Sequence, residues 1–115
     1  MSETIPGVYR LDTPKGGDIP LVFDSPHSGS IYPNHFDTTV PLKALRRAED
    51  MYVDDLFGDG PTHGATLLSA LYPRSFIDPN RGKADLDQDL LVEPWPDPVQ
   101  PSEKARLGHG LIWRV

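Results

Sequence analysis

His27 stands in the segment Pro26-His27-Ser28-Gly29 directly after an apolar run, and Arg74-Ser75-Phe76-Ile77-Asp78-Pro79-Asn80-Arg81 follows a second such run. Between them, Glu49-Asp50-Met51-Tyr52-Val53-Asp54 supplies carboxylates. A histidine, acids and guanidiniums at strand ends occupy the place where an open α/β sheet carries its ligand site. The combination points to chemistry on an anionic substrate.

In a turn with serine and glycine, His27 has room for an approaching ligand, and neutral imidazole is the commonest protein ligand for a metal. Its other reading is a turn histidine bonded to the local backbone. Asp50 and Asp54 are four residues apart, so on a helix they share a face, where two like charges repel unless a cation lies nearby. A metal would supply it, and so would Arg46 or Arg47. On spacing alone a merely solvated charged face is the favoured reading. Glu49 and Asp55 show that acids are abundant throughout this stretch. Arg74, Asn80 and Arg81 suit a substrate carboxylate, because arginine offers a planar fork and asparagine adds neutral donor and acceptor groups. Asp78 could orient one guanidinium. The alternative for this second group is a surface salt-bridge loop of small energetic weight.

The elements that must position these groups are short, because 13 prolines and 10 glycines punctuate the 115 residues. Ile19 to Phe23 reads as a buried strand ended by Asp24-Ser25-Pro26, which puts His27 just beyond its end. Pro41 opens a helix whose apolar positions Leu42, Leu45, Val53, Leu56 and Phe57 recur at helical spacing before Gly58 and Gly60, with a break near Ala48 making two helices the alternative. Ala65 to Tyr72 reads as a second buried strand, with Arg74 to Asp78 as its continuation past Pro73. Pro94, Pro96, Pro98 and Pro101 make residues 92–104 a Pro-rich loop. A further apolar segment, Gly110 to Val115, reads as a strand whose partners would normally follow, so the chain is expected to be the N-terminal piece of a larger domain. Trp95 and Trp113 remain unassigned, as core or partner contacts.

Composition narrows the function classes. The formal charge is −6 and only Arg46 and Arg47 form an adjacent basic pair, which argues against a phosphate-binding surface and therefore against nucleic acid. There is no cysteine, so any metal must use histidine and carboxylate. No run reaches the roughly 18 apolar residues of a membrane span, and Met1-Ser2-Glu3-Thr4 lacks the features of a signal peptide. The expectation is one soluble cytoplasmic α/β domain.

The ordered motifs Ser-Pro-His-Ser-Gly (25–29), Glu-Asp-x-x-Val-Asp-Asp-Leu-Phe (49–57), His-Gly-Ala-Thr-Leu-Leu (63–68) and Tyr-Pro-Arg-Ser-Phe-Ile-Asp-Pro-Asn-Arg (72–81) resemble the N-terminal part of N-formylglutamate amidohydrolases. The resemblance runs from about Leu21 to Val115, with Leu86-Asp87 and Gly110-Leu111-Ile112 also fitting. It implies a zinc hydrolase with a three-layer α/β/α fold and mixed sheet, similar to zinc carboxypeptidases and other phosphorylase/hydrolase-like folds. Its reaction would release formate from N-formyl-L-glutamate in histidine degradation. By the same resemblance His27 is a zinc ligand, Asp50 a carboxylate ligand with Asp54 next, and Arg74, Asn80 and Arg81 bind the substrate carboxylate. Arg74 or Arg81 would also polarise the scissile carbonyl, and Asp78 would orient the residues around it.

Family members run more than twice this length, and the resemblance places a further histidine ligand and the catalytic carboxylate beyond Val115. Within the chain, His35, His63 and His109 are the other histidines, and no spacing singles one out as a third ligand. Two alternatives stay open: a non-catalytic carboxylate-binding module, and a zinc hydrolase of another N-acyl amino acid.

Overall fold

Short strands alternate with long proline-rich connections, and the computed structural model describes residues 2–115. β1 (Ser2–Ile5) and β2 (Tyr9–Asp12) form an antiparallel hairpin. Its turn carries Pro6 and Gly7, with Gly7 at φ 73° and the Val8 N–H donating to the Ile5 carbonyl at 3.0 Å. Proline followed by a residue at positive φ is the signature of a type II turn. Next come β3 (Val22–Ser25), α1 (Leu42–Leu45), α2 (Val53–Leu56), β4 (Thr66–Ala70) and α3 (Glu103–Arg106).

The strands make one mixed sheet in the order β1-β2-β4-β3, so the architecture is α/β. β4 pairs antiparallel with β2, setting Leu11 opposite Leu68, and parallel with β3, setting Ser25 opposite Ser69. A parallel pair needs a crossover connection, and residues 26–65, which hold α1 and α2, provide it. Parallel neighbours also end at the same edge of the sheet. That edge receives both His27, just past β3, and the loop from Pro73 to Arg81 past β4.

The local details differ from the sequence expectations in several places. The first strand lies at Val22–Ser25 rather than 19–23, and it is an exposed edge rather than a buried strand: Val22 is 64% accessible. The helical region is broken as the alternative allowed, α1 running into a 3₁₀ turn at Arg46–Ala48 before α2 starts at Val53. Arg74 to Asp78 does not continue β4; Pro73 lacks a ladder donor, and its carbonyl instead accepts the Phe76 N–H in a turn. Gly110 to Val115 is not a strand either. It forms a single antiparallel bridge, His109 to Trp113, which follows Gly108 at φ 91°. The hairpin β1–β2 was not anticipated.

Among the described residues buried apolar side chains are few: Leu45, Ala65, Leu67, Leu86 and Ala105, with Pro61 and Pro73. Buried polar ones are as prominent, with Ser25, His27, Ser28, Ser69, Ser75 and Asp78 gathered largely where β3 and β4 end. The radius of gyration is 16.0 Å, against roughly 13 Å for a compact domain of this length. No helix among the described residues is long and apolar enough to cross a membrane.

Gly29 fixes the loop after His27 against the second strand end. A methyl group there would overlap the Tyr72 carbonyl oxygen and come within 2.7 Å of the Leu71 carbonyl carbon. Both obstacles are backbone, so no rotamer change relieves them. Gly29→Ala is therefore expected to cost about 3 kcal/mol, the upper range for overpacking a well-packed site, and urea unfolding of the variant checks it.

Candidate active site

Asp78 is the centre of the cluster and is completely buried. Its Oδ1 accepts from His27 Nε2 at 2.7 Å and from the Asn80 backbone N–H at 2.9 Å. Its Oδ2 accepts from Trp113 Nε1 at 3.0 Å, with Arg74 Nη2 at 3.5 Å and Arg81 Nη2 at 3.8 Å. Burial by itself pushes this carboxyl upward. The hydrogen bonds from His27 and Asn80, with the charges of His27 and Arg81, outweigh burial and hold the group down to about 2. Asp78 is therefore a carboxylate, and a carboxylate only accepts, so His27 Nε2 carries the shared proton.

This assignment determines what His27 offers. Its other nitrogen, Nδ1, lies 3.4 Å from Asp50 Oδ2. A bare nitrogen lone pair facing a carboxylate oxygen needs a cation between them, either a proton on Nδ1 or a metal ion. Two ligands of a tetrahedral zinc at about 2.0 to 2.1 Å sit roughly 3.3 Å apart, so the observed spacing suits either. The donor types fit zinc, with Asp78 behind the histidine as the carboxylate that metal-binding imidazoles regularly use. No group of three or more histidines and acids is placed to hold a metal among the described residues.

Asp50 reaches this position by a route that the helical reading did not foresee. It precedes α2, and Tyr52, at φ 68°, turns the backbone left-handed between them. Asp50 and Asp54 therefore do not share a helix face. The Asp50 N–H instead donates to the His27 carbonyl at 2.8 Å, which holds the two residues side by side. Asp54 accepts the Asp55 N–H and lines a neighbouring cleft of about 190 Å³ with Ser28, Ser30 and Glu49. The cation beside Asp50 is Arg74, at 3.7 Å, and neither Arg46 nor Arg47. Arg46 pairs with Glu49, whose buried carboxylate also accepts from the Tyr32 hydroxyl at 2.6 Å.

The two arginines are held differently. Arg81 Nε donates to the His109 carbonyl and its Nη1 to the Asn80 carbonyl, each at 2.9 Å, so most of its fork is committed to backbone. Arg74 lies with its Cζ 4.2 Å from the Trp113 ring centroid, and its buried Nε has no hydrogen-bond partner among the described residues. An unpaired buried donor is costly unless something answers it. Arg74 is thus the better placed of the two to take an anion. Asn80 contributes its backbone N–H to Asp78 and is exposed.

Of the other histidines, His35 and His63 lie elsewhere, whereas His109 borders the cluster. His35 packs edge-on against Phe76, exposed His63 donates to the Asp59 carbonyl, and the His109 ring lies against Trp113 at 4.4 Å. Trp113 itself was missed as a site residue. Its hydrogen bond spans 35 positions in sequence, and no local pattern announces such a contact.

A family model for N-formylglutamate amidohydrolase matches residues 19–115. The crystal structure of N-formylglutamate amidohydrolase from Ralstonia eutropha JMP134 is similar, with a TM-score of 0.90 and 50% identity over 93% of this chain. The match covers 38% of that protein, so the chain spans little more than a third of its length. No curated protein matches the chain.

Proposed function

Because this chain belongs to the N-formylglutamate amidohydrolase family, we propose that it carries part of the active site of a metal-dependent amidohydrolase that cleaves N-formyl-L-glutamate to L-glutamate and formate. The observation that carries this reading is the convergence of His27, Asp50 and Arg74 around buried Asp78 at the shared end of β3 and β4. The whole domain is read as three-layer α/β/α and zinc-carboxypeptidase-like, which the mixed sheet with its site at the parallel strand ends supports.

His27 Nδ1 and Asp50 would hold zinc, whereas Asp54, expected as the next carboxylate, lines a separate cleft and is not placed to join them. Bound zinc supplies an acidified water and polarisation of the formyl oxygen. Asp78 keeps the His27 proton on Nε2 and so keeps Nδ1 available as a donor pair. Arg74 offers a desolvated guanidinium with an open Nε, suited either to a glutamate carboxylate or to the oxyanion of the tetrahedral intermediate. Arg81, braced by two backbone carbonyls, holds positive charge beside Asp78, and Asn80 lies next to it at the exposed rim. By the family resemblance, a carboxylate beyond these residues would serve as the general base for that water.

The buried Nε of Arg74, unpaired among the described residues, suits one second reading equally, a carboxylate-binding module without catalysis. Assay of the full-length protein with N-formyl-, N-acetyl- and N-succinyl-L-glutamate separates the possibilities. Formate release is expected to exceed the other two rates by about tenfold or more, the scale on which a pocket distinguishes one extra carbon. Equal rates on all three would make it a general acyl-amino-acid hydrolase. No turnover with zinc supplied, together with glutamate binding, would establish the binding module.

A further inference from the structure

We propose that Trp113 is a positioning residue of this site, keeping the Arg74 guanidinium open for an anion by preventing its collapse onto Asp78. The inference rests on the amidohydrolase reading for its substrate, although the positioning itself is a property of the chain.

Asp78 Oδ2 faces three possible donors. The indole N–H makes a hydrogen bond to it at 3.0 Å, while Arg74 Nη2 stays at 3.5 Å, in ion-pair but not hydrogen-bond contact. Were the indole donor absent, the nearest cation could close that gap and form a paired salt bridge, because an oxygen left unsatisfied in a fully buried carboxylate is unfavourable. Arg74 would then turn away from Asp50, to which its Nη1 now lies at 3.7 Å. The ring face opposes the same collapse by a second means. With Cζ 4.2 Å from the centroid, the guanidinium is held by a cation–π contact. One side chain therefore satisfies the carboxylate and anchors the cation.

Trp113 is itself fixed. Its backbone bridges to His109, the Arg114 N–H donates to the Gly108 carbonyl, and the Asp78 N–H donates to the Leu111 carbonyl at 2.8 Å. The segment that carries the indole is thus tied to the residue on which the indole acts. Trp113 touches no reacting atom in this account and works only through Asp78 and Arg74.

Kinetics and NMR on the full-length protein test the proposal. Trp113→Phe keeps a ring face and removes the N–H; Trp113→Leu removes both. Trp113→Phe is expected to raise KM for N-formyl-L-glutamate about tenfold with kcat within about twofold, the pattern of lost binding rather than lost chemistry. The Arg74 Nε–H resonance should shift with it, and Trp113→Leu should lower kcat/KM further. An unchanged Arg74 resonance and unchanged KM in both variants would overturn the proposal, as would losses that follow only the unfolded fraction. Should neither variant fold, fast solvent exchange of the Trp113 indole proton in the wild-type protein overturns it and slow exchange upholds it. If the wild type hydrolyses no N-formylglutamate, the functional reading fails, and the Arg74 resonance still decides the role of Trp113.

Discussion

Asp78→Ala is expected to destabilise the fold by about 3–5 kcal/mol, the range for removing one partner of a buried charged network. The substitution strips the acceptor from His27, Trp113 and the Asn80 N–H at once and leaves Arg74 and Arg81 without their shared counter-ion. Those groups belong to the two strand ends and to the C-terminal segment, so the loss is felt across the sheet edge. The same carboxylate gives stability an acid limit. Its folded value of about 2 lies below the ordinary 3.8, so its contribution is complete above about pH 4 and is lost as pH falls toward 2. That contribution is about 2 kcal/mol by linkage. Urea unfolding between pH 2 and pH 6 in the presence of a chelator reads both effects. Wild-type stability should decline over that acid range, and Asp78→Asn should lack this component. A melting profile for Asp78→Ala within about 1 kcal/mol of wild type would remove Asp78 from the centre of the site.

On the proposed metal reading, His27→Ala should cut kcat/KM of the full-length protein by about a thousandfold or more, since the several kcal/mol that such a metal would contribute to the transition state are at stake. Asp50→Asn should produce a comparable loss with far less effect on folding, because the Asp50 side chain is half exposed whereas His27 is buried. Asp54→Asn is the internal control: its carboxylate lines a separate cleft, so zinc content should be retained. Metal content by atomic emission, measured alongside rates, checks the assignment. Full zinc occupancy in Asp50→Asn and its loss in Asp54→Asn would reverse the two roles. Undiminished activity in His27→Ala would end the metal reading altogether.

The site's general location was legible because strand ends and turn residues are written locally. Ser25-Pro26-His27-Ser28-Gly29 announces a chain leaving a strand, and Pro73 announces the same for β4. Their meeting depends on β3 and β4 being parallel neighbours, which the α/β pattern anticipates. Asp50 came from the family resemblance, while the helical face that it was expected to share with Asp54 does not exist in the structure. Periodicity assumes continuous αR backbone, and the left-handed Tyr52 breaks it, so the neighbour of Asp50 is the His27 carbonyl and not Asp54. The hairpin escaped notice because every residue of β1 is exposed, which leaves no apolar alternation to detect; pairing and the Pro6-Gly7 turn define it. Trp113 escaped for the opposite reason. Its value lies in contacts with Arg74 and Asp78 that only the assembled fold creates.

The position of β4 between β2 and β3 also sets an order of events. Both its partners precede it in the chain, by more than 40 residues in each case, so until Thr66–Ala70 has been synthesised the hairpin is the one piece of sheet that can exist. β3 emerges with its hydrogen-bonding edge bare and waits through the entire crossover, a stage at which unpaired strand edges are prone to misassociation. Even after β4 docks, the carboxylate at the strand ends lacks its indole donor until residues 109–113 arrive. The arrangement around Arg74 is therefore completed after the sheet, and a nascent chain halted between these two moments would hold the strand ends of the candidate site with the guanidinium free to fall inward.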